Sequence, residues 1–226
     1  MNLEQIIILS HVIAGGLTLA SGLMAAFIGK KGGKLHKQVG KVFFWSMFWI
    51  FISALLIIAF IRFNFFLLII AVFSFYMTFS GVRVLKIKKT LKVEWYDWAA
   101  SVITMLFGLS LFIIGIRLLI LNGTQNAMGY LCLFFGFFTA NTAWLNFKGF
   151  RKKEQPKMWW WFAHMNSMCG ALIASITAFL VQNGEIFGIA DRMNWLLWVL
   201  PAAIGSPLIS YWARKYRQQF GVVRSK

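Results

Sequence analysis

The chain has 226 residues, of which 60% are hydrophobic and only 13% charged, and it carries a formal net charge of +17. A soluble domain holds about 25% charged residues. Here the apolar residues form blocks of about 20 that match the roughly 30 Å hydrocarbon core of a bilayer, which argues against a soluble globular fold. The basic residues sit at block ends and not on a folded polar surface, so topology and anionic lipid headgroups account for the charge better than a nucleic-acid partner does.

From the N-terminus, Met-Asn-Leu-Glu-Gln leads directly into the first block, with no basic n-region and no small-residue cleavage site. The first block is therefore expected to be a retained span, over 5–29. It carries His11, with Gly15 one turn along and Gly22 and Ala26 continuing that face at helical spacing. A basic loop follows (Lys30, Lys31, Lys34, Lys37, Lys41), and His36 is placed in it just before a second span over 40–61. Only Arg62, Phe63 and Asn64 separate this from a third span over 64–85, which requires a tight hairpin.

The next basic loop holds Arg83, Lys86, Lys88, Lys89 and Lys92, and the fourth span, 95–120, opens with Trp95-Tyr96-Asp97-Trp98. Asp97 is expected to pair with a loop lysine such as Lys92, or to serve as an N-terminal carboxylate favoured by the helix dipole. Glu94 reads as interfacial, and Arg117 is expected to snorkel to the outer interface. The fifth span covers 127–147 and is followed by Lys148, Arg151, Lys152, Lys153 and Lys157. The sixth, 158–182, contains His164 and a small-residue stripe of Gly170, Ala174 and Ala178 flanked by Ser167 and Ala171, which suits close helix contact. The seventh, 194–213, is expected to bend at Pro201 and Pro207 and leads into a tail with Arg214, Lys215, Arg217, Arg224 and Lys226.

Alternate loops thus hold 20 of the 23 basic residues, and the other face holds Arg62, Arg117 and Arg192. By the positive-inside rule this puts the N-terminus outside and the C-terminus in the cytoplasm. Trp95, Trp98, Trp144, Trp159, Trp160, Trp161 and Trp212 fall near the cytoplasmic interface and Trp195 near the outer one, as the indole ring prefers. The expected architecture is an all-α polytopic transmembrane bundle of seven helices forming one membrane domain over 1–226. Cys132 and Cys169 lie within apolar blocks and read as small hydrophobes. Asn141, Asn146 and Asn166 read as interhelical hydrogen-bond partners.

An ionisable side chain within the bilayer is costly and marks a functional candidate. His11, His36 and His164 are the candidates for cofactor binding. Imidazole ligates haem iron or zinc and also titrates near neutrality, as a proton relay needs. His11 lies roughly 9 Å below the outer end of its span and His164 roughly 10 Å from the inner end of its own, at 1.5 Å per residue. In a core of about 30 Å their heights differ by roughly 10 Å, so His36 and His164, both on the cytoplasmic half, make the better pair. A zinc hydrolase needs about three protein ligands, and no H-x-x-x-H or H-E-x-x-H spacing occurs. The alternative without chemistry is a permease or accessory protein whose histidines pack.

The first-helix His11-x-x-x-Gly15, the loop Lys31-Gly-Gly-Lys-Leu-His36-Lys-Gln-Val-Gly40-Lys41 and the late His164-Met165 followed by Thr177-Ala178-Phe179 resemble a family of bacterial predicted multi-pass membrane proteins catalogued as a domain of unknown function. The resemblance covers nearly the whole chain, and the loop is its most specific part. It implies a bacterial inner (cytoplasmic) membrane location. A looser similarity links such proteins to b561-type and ferric-reductase-like haem membrane proteins, which hold haem between transmembrane histidines. The chain lacks two same-depth His pairs, so this similarity implies a single haem b and an electron-transfer role.

Overall fold

The computed structural model describes residues 2–152, 154–186 and 194–222, the side chains of Asn194 and Trp195 excepted. Lys153, Arg192, Arg224, Lys226 and the Trp195 side chain therefore lie outside the described residues. The described residues form seven helices: α1 Leu3–Phe27, α2 Lys34–Phe60, α3 Phe65–Thr90, α4 Trp95–Asn122, α5 Ala127–Phe150, α6 Trp159–Gln182 and α7 Asn194–Gln219. Among them there is no strand. By length and composition all seven are able to cross a membrane, which fits a multi-pass integral membrane protein in contact with the lipid bilayer.

Several helices run past the apolar blocks. α2 begins at Lys34 and not near residue 40, α3 continues to Thr90, and α7 passes through Pro201 and Pro207 to Gln219. Hydropathy marks only the length that sits in hydrocarbon. The backbone hydrogen-bond ladder carries on through the headgroup zone, where Lys and Arg extend their charged ends to water. His36 accordingly lies in the first turn of α2, and its placement in a loop is corrected.

The chain divides into two compact units, one formed by Met1–Val82 with Pro156–Lys226 and the other by Arg83–Gln155. In the first, α1 packs on α2 and on α6, and α6 packs on α7. Phe43, Met47, Ala171 and Leu172 form a buried cluster there, joined by Ala26, Met77 and Met168. Gly22 sits at this contact: a Cβ on it would come within 2.7 Å of Leu172 and 2.8 Å of Phe43. Of the small-residue stripe of α6, Ala174 is buried, as are the flanking Ser167 and Ala171, while Gly170, which lies against Met77, and Ala178 are half-buried.

In the second unit α4 packs along α5. Ser101, Thr104, Gly108, Leu111 and Gly115 are the buried face of α4; Gly129, Cys132, Gly136, Thr139 and Ala143 are that of α5. A Cβ on Gly108 would lie 2.9 Å from the Gly136 carbonyl, and one on Gly115 2.8 Å from the Gly129 carbonyl, so the two backbones touch directly. At one end Arg83 and Asp97 form a two-pronged ion pair, Nε to Oδ1 at 2.6 Å and Nη2 to Oδ2 at 2.7 Å. Asp97 therefore pairs with Arg83 and not with Lys92, and it also serves as the expected carboxylate at the α4 N-terminus, accepting from the Glu94 amide at 3.0 Å. Arg83 lies within α3, where it is buried, and not in a loop; its guanidinium fork matches the carboxylate geometrically where a lysine point charge does not.

Candidate functional site

The glycine pair of the first basic segment sets the geometry. Gly32 has φ +75°, a left-handed conformation that glycine adopts without a Cβ penalty. Gly33 is extended and caps α2, which starts at Lys34. Lys31, just before this turn, reaches back and donates from Nζ to the carbonyls of Ala25 (3.0 Å) and Ala26. These are among the last carbonyls of α1, which no amide of the helix can satisfy. Burial pushes the Lys31 ammonium below its ordinary pKa. The segment thus closes α1, turns, and delivers His36 two residues into α2.

His164 lies on α6, and its Nδ1 is 2.8 Å from the carbonyl oxygen of Gly81 on α3. A carbonyl only accepts, so Nδ1 carries the proton and a neutral ring presents its lone pair at Nε2. Gly81 allows this approach: a Cβ there would lie 2.9 Å from the Met168 sulfur and 3.1 Å from Ser167.

The fold brings His36 and His164 together. Their ring centroids are 6.4 Å apart with the planes at 76°. The Nδ1 of His36 is buried and has no close hydrogen-bond partner, while the ring also interacts with the Ala25 carbonyl near the end of α1. His11 is elsewhere: its Nδ1 lies 2.8 Å from the Ser53 hydroxyl, which also donates to the Trp49 carbonyl at 2.7 Å. Ser53 follows His36 on α2 by 17 residues, about 25 Å of rise. Two of the three candidate histidines are therefore neighbours and the third is a hydrogen-bonded contact between α1 and α2.

Among the described residues no group of three or more His, Cys, Asp or Glu is placed to hold a metal ion, so the ligand set that a zinc hydrolase needs is not assembled. Cys132 and Cys169 are free thiols. Asn141 and Asn166 lie on exposed faces. Three residues of the site do not stand out as site residues in the sequence. Lys31 and Gly32 carry a signal in the Lys-Gly-Gly turn. Gly81 carries none, since its role depends on where α6 lies. No family model matches the chain, and neither a curated protein nor a solved structure matches it.

Proposed function

We propose that the chain is a membrane redox protein that holds one b-type haem between His36 and His164. The observation that carries this reading is the ring pair. A metal atom held by one nitrogen of each ring, at about the 2.0–2.1 Å of a zinc–imidazole bond, would leave the centroids roughly 6 Å apart, and this pair stands at 6.4 Å. The pair brings two nitrogen donors and no third protein ligand among the described residues. Such a set suits a metal whose remaining positions are filled by a macrocycle better than it suits zinc, which takes three or four protein ligands.

The surrounding groups support the same reading. The Gly81 carbonyl holds the His164 proton on Nδ1, the arrangement that fixes the tautomer of a ligating imidazole and raises its basicity. A buried polar atom without a partner costs about 1–3 kcal/mol, and a group bound at His36 relieves that cost at Nδ1. When bound, a b-type haem supplies one-electron chemistry. The chain's own part is to ligate, to orient the rings and to set the polarity around them.

The turn that delivers His36 also carries the resemblance to the bacterial membrane-protein family, which supports membership. The alternation of basic segments supports an outside N-terminus in a bacterial inner membrane, with the imidazole pair on the cytoplasmic half. The test is a visible spectrum of detergent-purified protein from haem-replete cells. Wild type and His11→Ala are expected to show a Soret band that His36→Ala and His164→Ala lose while eluting at the same volume on size exclusion. A colourless, folded wild type overturns the reading in favour of a permease or accessory protein.

A further inference from the structure

The helix-interior glycines of the first unit fall into two groups. A Cβ on Gly22, Gly81, Gly170 or Gly205 would strike a side chain of a neighbouring helix, whereas one on Gly15, Gly16 or Gly40 would meet no heavy atom within 4 Å. Glycine inside a helix is destabilising relative to alanine. The first group offsets that cost with close packing. No packing within the described chain calls for the second.

Gly40 is the informative member, because it lies one turn beyond His36 on the same face of α2. A tetrapyrrole is wider than one helical turn of about 5.4 Å, so the residues a turn either side of a ligating histidine lie beneath its flat face. For His36 these positions are Gly33 before it and Val39 and Gly40 after it, and of these Val39 is already buried in the chain. Gly33 is explained by the turn itself, where a Cβ would lie 3.2 Å from the Lys30 carbonyl. Gly40 has no such explanation in the chain. A bare metal ion between two imidazoles touches their nitrogens and needs no glycine a turn away.

We propose that Gly40 determines what the His36–His164 pair accepts: its bare backbone is the surface on which a planar macrocycle rests, so the site takes a tetrapyrrole in preference to a bare metal ion. This rests on the reading of His36 and His164 as a ligand pair. His11 has the same spacing to Gly15, but its ring is held by Ser53 and the imidazole pair lies about 25 Å away along α2, so that turn makes no second site.

The experiment titrates haemin and, separately, Cu²⁺ into detergent-purified wild type, Gly40→Ala, Gly40→Leu and His36→Ala, following the Soret band and the copper signal. Added side-chain volume at a filled contact costs about 1–3 kcal/mol, so Gly40→Leu is expected to lose about tenfold or more in haemin affinity. It is expected to bind Cu²⁺ like wild type, with Gly40→Ala between the two and His36→Ala defective for both. Equal haemin binding by wild type and Gly40→Leu overturns the role of Gly40 and leaves the ligand pair standing. Parallel loss of haemin and Cu²⁺ in both Gly40 variants also overturns it, because selectivity is the claim. A wild type that takes Cu²⁺ but no haemin overturns the haem reading itself.

Discussion

The buried ionisable group of the unit Arg83–Gln155 and that of the unit built on α1, α2 and α6 are treated in opposite ways. In the former, Asp97 is 2% exposed and both its oxygens are occupied: Arg83 donates to each and the Glu94 amide adds a third bond at 3.0 Å. The Arg83 guanidinium also lies over the Tyr96 ring at 4.6 Å. Gly108, Gly115 and Gly136 are pressed against facing backbone. In the latter, His36 keeps a buried nitrogen without a partner and Gly40 faces empty space. Where the chain satisfies its own polar groups and fills its own glycine contacts, those residues are structural. At His36 and Gly40 the described chain does neither, and this supports the ligand proposed there. Buried hydroxyls without a partner occur in both units, Thr139 on α5 and Thr18 on α1, so an unpartnered buried atom counts toward a ligand only where, as at His36, it belongs to an imidazole beside a second one.

The most severe way to break this contrast is at the ion pair. Removing one partner leaves an uncompensated buried charge, so Asp97→Ala is expected to lose about 3–5 kcal/mol. A double Arg83→Leu, Asp97→Leu variant should recover most of that, both read by reversible denaturation in mixed micelles. A loss below about 1 kcal/mol, the range of an exposed pair, would remove Arg83–Asp97 from the structural side.

Glycine substitutions sharpen the contrast by sign. Gly136→Ala forces a methyl into the α4–α5 seam, where a Cβ would lie 2.8 Å from the Gly108 carbonyl, and should cost about 1–3 kcal/mol. Gly40→Ala, with nothing to strike, should leave the unliganded protein equally stable or more stable by about 0.5–1 kcal/mol through helix propensity. The same denaturation assay reads both, and a destabilised Gly40→Ala would reveal a packing role at that position. The smallest effect is expected at Lys31→Met, which removes the ammonium from the Ala25 and Ala26 carbonyls and with it about 0.5–1 kcal/mol of favourable interaction at a helix C-terminus. Melting temperatures in detergent at low and high salt check it, since salt should shrink the difference.

Part of the site is legible in the amino-acid sequence. The Lys-Gly-Gly run, one turn ahead of His36 and two ahead of Gly40, marks the start of a helix. Depth along the spans separates His11 from the other two histidines, and the fold puts His11 on Ser53 accordingly. Other features are out of its reach. Sequence proximity points Asp97 toward Lys92, whereas the partner is Arg83, fourteen positions back on α3. The glycines of α4 and α5 form no telling pattern in the chain, because a seam of backbone on backbone exists only once two faces are rotated toward each other. Gly81 is an ordinary helical glycine until its carbonyl lies beneath His164.

The seven spans are determined by sequence alone, because crossing a bilayer is a local requirement. Each segment must supply enough apolar length and satisfy its own backbone, whatever its neighbours do. That His36 and His164 meet is decided only by tertiary structure. Whether two side chains on separate helices face each other depends on helix rotation and register, and contacts such as Gly22 against Phe43 and Leu172, or Gly81 against Met168, set these. Such contacts leave no period in the chain, and the imidazole pair exists only once they are made.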